Sequence, residues 1–114
     1  MEVSYTPKTA SHDHAVYEWK LKADSEGAAV PVLDYNRAAI QVSGTPSGAR
    51  VCASGRIDTV HEFTPMNDND GFPAAGLRPG KLFDIPNLMV AELKPIVYGG
   101  NDETEVTVTI IVKR

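Results

Sequence analysis

Residues 64–72, TPMNDNDGF, have side chains that could bind a metal ion. A calcium loop of the EF-hand type needs oxygen ligands at its first, third and fifth positions, glycine at the sixth and glutamate at the twelfth. With the glycine of this segment at the sixth position, the first position is Met66, which cannot bind calcium, and the twelfth is Leu77. We therefore expect a solvated turn, with a non-standard calcium site formed by Asp68 and Asp70 as the alternative.

The histidines are the second candidate for metal chemistry. His12 and His14 are two residues apart, so they would face the same way on a strand and could hold zinc or nickel if His61 approached them. The sequence contains no visible third ligand and no partner that would orient these rings. We expect surface histidines, with no bound metal and no other cofactor.

No motif in the sequence points to catalysis. Serines, histidines and carboxylates are present, but no G-x-S-x-G elbow or other local nucleophile motif occurs. The glycines at 44, 48, 99 and 100 lie between predicted strands and do not precede a helix, so they predict turns and not phosphate-binding loops. The single cysteine, Cys52, lies in the apolar run ARVCA, which favours a buried structural thiol. We expect no catalytic residues and no enzyme activity.

Three tyrosines are candidates for carbohydrate binding. Tyr5, Tyr35 and Tyr98 could stack on sugar rings in a lectin-like site. Spaced tyrosines in a small β protein are, however, more typical of core edges or of contacts between subunits. We therefore favour a packing role for them.

Length and charge narrow the classes of partner. The 114 residues, 42% of them hydrophobic and 23% charged, suit one ordinary globular domain. The net charge of −4 and the scattered Lys and Arg residues argue against broad nucleic-acid binding. No apolar run approaches the roughly 20 residues of a membrane span, and the N-terminal segment lacks the apolar core of a signal peptide. We expect no nucleic-acid or membrane partner, and synthesis and folding in the cytoplasm.

The pattern of apolar and polar residues changes near residue 13, where the first predicted strand begins. Residues 1–13 are polar, contain Pro7 and lack periodicity, which predicts a mobile arm or a segment that orders only against a partner. The following residues alternate with a period of two, which predicts a half-buried strand with Tyr17 and Trp19 on one face. We expect a flexible arm, 1–13, followed by one domain at 14–114.

The rest of the chain reads as short strands separated by Gly and Pro. Residues 37–43 and 49–54 alternate on either side of the break at 44–48, which predicts a β-hairpin. Residues 57–63 predict a surface strand, because one of its faces is fully polar. The remaining predicted strands are 81–85, 88–98 and 104–112, the last with Val106, Val108, Ile110 and Val112 on one face. About seven or eight strands and no convincing helix predict an all-β fold, a single-domain β-sandwich or jelly roll.

From Asp34 onward the order of the pieces resembles that of tailed-phage capsid decoration, or cement, proteins. The pieces that carry the resemblance are a V-S-G-T hairpin at 42–45, a D-G turn in NDNDG at 67–71, a G-G-N-D turn at 99–102 and the closing strand at 104–112. The resemblance implies a jelly-roll or β-sandwich subunit that forms a homo-oligomer, commonly a trimer. It also implies binding to the outer surface of an icosahedral head, where the subunit bridges neighbouring capsid subunits.

If the resemblance holds, the protein is a structural part of the virion, made in the host cytoplasm, that stabilises the head by binding the major capsid protein. The arm residues expected to contact the capsid are Tyr5, Pro7, Lys8 and His12. The residues expected to pack in the core or between subunits are Tyr17, Trp19 and Tyr98. Avidity across an oligomer would raise a modest affinity at each single site.

Two other functions fit the same sequence. The first is another structural part of the virion built on a similar sandwich, such as a tail or head-fibre component. The second is a carbohydrate-binding module, in which loop aromatics and the turn containing Asp68 and Asp70 form a sugar and calcium site.

Overall fold

A computed structural model of the protein describes residues 2–11, 13–66, 76–86 and 88–114. Two of the sequence-based expectations lie outside this part of the chain. One concerns the turn or calcium site at Asp68 and Asp70, and the other concerns capsid contact by His12. Within the described residues the protein contains strands and turns and no helix, so the all-β prediction is confirmed.

The described part of the chain forms eleven strands. They are β1 Glu2–Val3, β2 Thr6–Ala10, β3 His14–Leu21, β4 Glu26–Gly27, β5 Val30–Pro31, β6 Arg37–Thr45, β7 Arg50–Arg56, β8 Thr64–Pro65, β9 Leu82–Ile85, β10 Glu92–Tyr98 and β11 Glu105–Lys113. The first sheet has the order β1-β4-β10-β7-β8, with β5 also paired to β10. The second sheet has the order β2-β3-β11-β6-β9. The pairing is antiparallel except between β1 and β4. The fold is therefore a β-sandwich.

The core lies between the two sheets and follows the alternation of the sequence. Every second side chain of β11 points inward and is buried, as the pattern of this strand predicts. In β6 and β3 most of the inward side chains are also buried, and Tyr17 of β3 is half-buried. The largest fully buried side chains include Trp19, Leu21, Ile40, Ile85, Leu93 and Ile110.

The predicted β-hairpin between β6 and β7 is wrong. β6 pairs with β11 and β9 in the second sheet, whereas β7 pairs with β10 and β8 in the first. Residues 46–49 therefore carry the chain from one sheet to the other. Alternation of apolar and polar residues identifies the buried side of a strand but not its neighbour, so it is compatible with either connection.

The predicted surface strand at 57–63 is also wrong. The carboxylate of Asp58 accepts hydrogen bonds from the backbone N–H groups of Val60 and His61, each at 2.9 Å. Such local bonds give the backbone an alternative to a strand ladder, and here they hold a turn. The chain then folds back over the first sheet, where the Phe63 ring lies 4.4 Å from the Arg56 guanidinium carbon and 4.2 Å from Lys94 Nζ.

The first ten residues differ from the expected mobile arm. Residues 2–10, the N-terminal strap, run from the first sheet, where β1 pairs with β4, to the second, where β2 pairs with β3. Val3 and Tyr5 pack against the core, and the carbonyl of Val3 accepts a hydrogen bond of 2.7 Å from the N–H of Ala28. The segment contains too few apolar residues for a recognisable period, and β1 pairs with β4, which is distant in the sequence, whereas β2 pairs with the next strand, β3.

Candidate binding surfaces

The strap is held by a cluster of three aromatic side chains. The ring of Tyr5 lies edge-on to Tyr17, with 5.2 Å between centroids and 86° between planes. It also lies edge-on to Trp19, at 5.9 Å and 60°. Such edge-to-face pairs are each worth about 0.5–1.5 kcal/mol beyond the area they bury. Tyr5 therefore points into the sandwich and anchors the strap.

Gly27 of β4 and the following residue, Ala28, both contact the Trp19 ring. Its Nε1 donates a hydrogen bond of 3.1 Å to the carbonyl of Ala28. Gly27 lies against the ring: a Cβ at this position would be 2.5 Å from Trp19 Cδ1 and 2.8 Å from Pro95 Cδ. Trp19 is 0% exposed, so the structure places it in the core.

The other two aromatic residues expected to pack occupy different positions. Tyr17 is half-buried beside the core, and burial raises the pKa of its hydroxyl above the ordinary value, with smaller contributions from Tyr35 and Tyr5. Tyr98 is 52% exposed at the end of β10, where it pairs with Arg50. It therefore lies on the surface and not in the core.

The outward side of the strap carries exposed polar and small side chains. Pro7 and Lys8 are exposed, and Lys8 Nζ lies 3.5 Å from the carboxylate of Glu18. The pairing of β2 with β3 shifts register between Pro7 and Thr9. A proline, a lysine and an irregular register are features that oppose the addition of a further strand at a sheet edge. Contacts on this edge would therefore be made by side chains and not by strand pairing.

A group of exposed apolar side chains lies at one end of the first sheet, and the sequence analysis did not predict it. The N–H of Val32 bonds to the carbonyl of Ala91, and the N–H of Ala91 bonds to the carbonyl of Arg56, at 2.8 and 2.9 Å. Three chain segments therefore lie side by side at this end. The residues they expose, here called the apolar end, are Leu33, Ile57, Val60 and Met89, with exposures from 63% for Ile57 to 87% for Val60.

No signal in the local sequence marks the apolar end. Its residues lie on three segments that are distant in the sequence, and the hydrogen bonds between these segments bring them to the same end of the sheet. Four large apolar side chains exposed at one end of a sheet are a candidate surface for contact with another molecule.

Asp58 and His61 form an exposed pair beside the apolar end. Asp58 Oδ1 lies 2.8 Å from His61 Nδ1. This side-chain hydrogen bond, together with those from the backbone N–H groups, lowers the pKa of Asp58 from 3.8 to about 2. The second described histidine, His14, has different partners, Ser11 and Asp13. Each histidine therefore supports its own local turn.

The other residues considered for metal binding, thiol chemistry and sugar stacking do not form a site in the described part of the chain. Among the described residues, no group of three or more His, Cys, Asp or Glu side chains could hold a metal ion. Cys52 is buried, as predicted. Tyr35 packs against the core, so the three tyrosines considered for sugar stacking do not form one exposed platform. In the part of the chain that the structure describes, no helix is long and apolar enough to cross a membrane.

Comparison with known proteins finds similarity in structure only. No protein-family model matches the chain, and no curated protein matches its sequence. The crystal structure of the SPBc2 prophage-derived protein YomS superimposes with a TM-score of 0.66 at 16% identity, covering 94% of this chain and 100% of that one. A cupin domain from Bordetella pertussis Tohama I matches with a TM-score of 0.54 at 16% identity, covering 99% and 95% of the two chains. The fold is a cupin-like β-sandwich.

A second cupin extends this comparison. An RmlC-like cupin protein from Desulfovibrio desulfuricans matches with a TM-score of 0.54 at 10% identity, over 98% of this chain and 82% of that one. At these identities the likeness establishes the cupin-like sandwich and nothing about activity.

Proposed function

We propose that the protein is a structural component of a phage head, a capsid decoration protein that binds the outer surface of an icosahedral shell and stabilises it. The observation that carries this proposal is the structural likeness to a prophage-derived protein over nearly the whole of both chains. Of the pieces that carry the resemblance to decoration proteins, the G-G-N-D turn at 99–102 and the closing strand β11 support the same function, whereas the V-S-G-T segment lies within β6 and forms no hairpin. On this proposal the protein acts by binding and has no enzymatic role.

The proposed contact with the major capsid protein involves two surfaces. The strap offers the exposed residues Pro7 and Lys8, with His12 following it in sequence. The apolar end offers large side chains that lose water on contact, and its exposed loops could follow an uneven shell surface. Tyr5 takes a different role from the one expected, because its ring packs inward and holds the strap in place.

The proposed partners also include further copies of the protein. A homo-oligomer that binds several capsid subunits at once raises its overall affinity without any additional contact at each site. The resemblance to decoration proteins implies a trimer, and Tyr98 is a candidate for contact between subunits because it is exposed. The net charge of −4 favours solubility of the free protein. The proposed location is the capsid surface of the virion.

The test is sedimentation with purified phage shells that lack the protein. We expect the wild-type protein to sediment with the shells and Val60→Asp to bind at least about tenfold more weakly, because a charge in the apolar end opposes its loss of water. Glu103→Lys, a charge change in the turn at the other end of β10, is the control and should bind like the wild type. Failure of the wild-type protein to bind any shell would contradict the proposal.

Another structural part of the virion, such as a tail or head-fibre component, is the second candidate. The likeness to a prophage-derived protein supports it equally, because a prophage encodes more than one kind of structural protein. Sedimentation with purified tails, in place of shells, would favour it. The carbohydrate-binding alternative has less support, since Tyr5 and Tyr35 pack against the core.

A further inference from the structure

A cleft lies where the chain passes from the second sheet to the first. One of its walls is the connection at 46–49 between β6 and β7, and the other is the segment at 76–83, which leads into β9. The N–H of Leu77 bonds to the carbonyl of Val51 on β7 at 2.8 Å, and Phe83 of β9 pairs with β6. The second wall is therefore attached to both sheets and is held in place by them.

The cleft consists of two adjoining cavities, of about 310 and 750 Å³, that are open to solvent. Both are lined by Gly76, Leu77 and Arg78, so a molecule could extend from one cavity into the other. Binding sites for small molecules commonly have volumes of about 300–1,000 Å³. The cleft is therefore large enough for such a ligand.

The smaller cavity has an apolar floor. Ile40 and Val42, on the inward face of β6, line it although they are only 1% and 2% exposed, so they lie at its base. Leu77 and Phe83 also line it and pack against the core. An apolar group that enters this cavity displaces water from apolar side chains, which is favourable. This part of the cleft therefore suits the apolar body of a ligand.

Three cations lie along the cleft. Lys81 and Arg78 line the smaller cavity, and Arg78 and Arg50 line the larger one. All three are exposed, and in the described part of the chain none of them pairs with a carboxylate. A protein whose net charge is −4 thus places three cations at one site, which favours an anionic ligand.

Among the described residues, no carboxylate lines either cavity. The acidic residues of the neighbouring elements lie elsewhere on the surface: Asp84 of β9, Asp102 and Glu103 of the turn before β11, and Glu105 of β11. Of these, Asp84 lies 3.8 Å from Arg37, outside the cleft. The cations are therefore the charged groups that a molecule in the cleft meets directly.

We infer that the cleft binds a small amphipathic anion, a molecule with an apolar body and an anionic head group. Arg78 lines both cavities, so it is the cation that meets the head while the body lies over Ile40 and Val42. A guanidinium group binds a carboxylate or a phosphate through two parallel hydrogen bonds. The cleft lies at the Arg50 end of β7 and the apolar end lies at the Arg56 end, so this site does not depend on the proposed capsid contact.

The test is titration of the protein with octanoate, followed by NMR of the backbone amides. We expect a dissociation constant of about 1 mM or tighter, with the signals of Leu77, Arg78 and Lys81 among those that shift most. Octanol has a similar body and no charge, and should bind at least about fivefold more weakly. Acetate has the head without the body, and should bind at least about tenfold more weakly. Octyl phosphate in place of octanoate distinguishes a phosphate from a carboxylate head group.

Two variants of Arg78 test the role of its charge. Arg78→Gln should weaken octanoate binding at least about fivefold and leave octanol binding unchanged, because only the charged partner of the head is lost. Arg78→Lys keeps the charge and should retain most of the affinity. Lys20→Gln, which changes an exposed lysine on β3, is the matched control and should bind octanoate like the wild type.

Four outcomes would overturn the inference. The first is the absence of a saturable shift with octanoate up to about 10 mM. The second is a set of shifts confined to the strap or the apolar end. The third is equal octanoate affinity of Arg78→Gln and the wild type, since the charge would then contribute nothing. The fourth is octanoate binding only after Asp68→Asn and Asp70→Asn are combined, since carboxylates of the chain itself would then compete for the cations.

Discussion

Replacing Tyr5 with alanine tests whether the strap is part of the folded sandwich. The substitution removes two edge-on aromatic contacts, worth about 0.5–1.5 kcal/mol each. It also removes the burial of a half-buried ring, about half of the roughly 1.5–3 kcal/mol for a fully buried large side chain. We expect the free energy of unfolding to fall by about 2–4 kcal/mol, a large part of the total stability of a small domain.

The assay is urea unfolding followed by tryptophan fluorescence. Trp19 is the only tryptophan of the chain, is fully buried and lies against Tyr5, so its emission reports this cluster directly. Tyr5→Phe should keep most of the stability, because the ring remains. Tyr98→Ala is the matched control and should change the free energy by no more than about 0.5 kcal/mol, since this side chain is largely exposed.

Limited trypsin digestion gives a second measurement on the same variant. Lys8 lies within β2 and must leave the sheet before a protease can cleave after it. If the strap opens more easily by about 2 kcal/mol, cleavage should be about 30-fold faster in Tyr5→Ala than in the wild type. If Tyr5→Ala and Tyr98→Ala have equal free energies of unfolding and equal cleavage rates, the strap does not pack on the sandwich. That result would support the mobile arm expected from the sequence.

Two further predictions concern Gly27 and Asp58. Gly27→Ala should lower the free energy of unfolding by about 1–3 kcal/mol in the same urea assay, because its Cβ would overlap Trp19 and Pro95, and an unchanged value would contradict the packing of β4 under the indole. Because folding lowers the pKa of Asp58 to about 2, its charge stabilises the fold above the ordinary value of 3.8, and this contribution disappears as the pH falls through about 2. The wild type should therefore have a higher melting temperature than Asp58→Asn at neutral pH and the same melting temperature near pH 2. A difference in melting temperature that persists at the lower pH would argue against the Asp58 charge as its source.

The strands that the sequence predicted most accurately are those with one buried face and one exposed face. In β11 the inward positions are Val106, Val108, Ile110 and Val112, and the structure buries all four. The period of two is a local property, because successive side chains of a strand must point to opposite faces. β7 shows the limit of this rule. Its residues Val51 to Gly55 are buried on both faces. Burial in β7 therefore does not alternate as it does in β6, the strand that precedes it in the sequence.

The candidate surfaces were predicted less well than the fold. Trp19 and Tyr17 were correctly placed on one face, but the inward position of Tyr5 depends on their rings and on β4, which lies about twenty residues further along the chain. The apolar end depends on hydrogen bonds between three segments that are distant in sequence. The second sheet requires the pairing of five strands, and no local pattern specifies which strands are neighbours.

The sequence by itself determined the all-β class, the inward faces of β3, β6 and β11, and the burial of Cys52. These follow from the alternation of side chains and from the cost of leaving apolar groups in water, both of which act within a few residues. Only the tertiary structure decided that β6 and β7 belong to different sheets, that the strap closes one side of the sandwich and that β2, β3, β11, β6 and β9 form one sheet. These features depend on contacts between distant segments, whose free energy is gained only when the whole sandwich assembles.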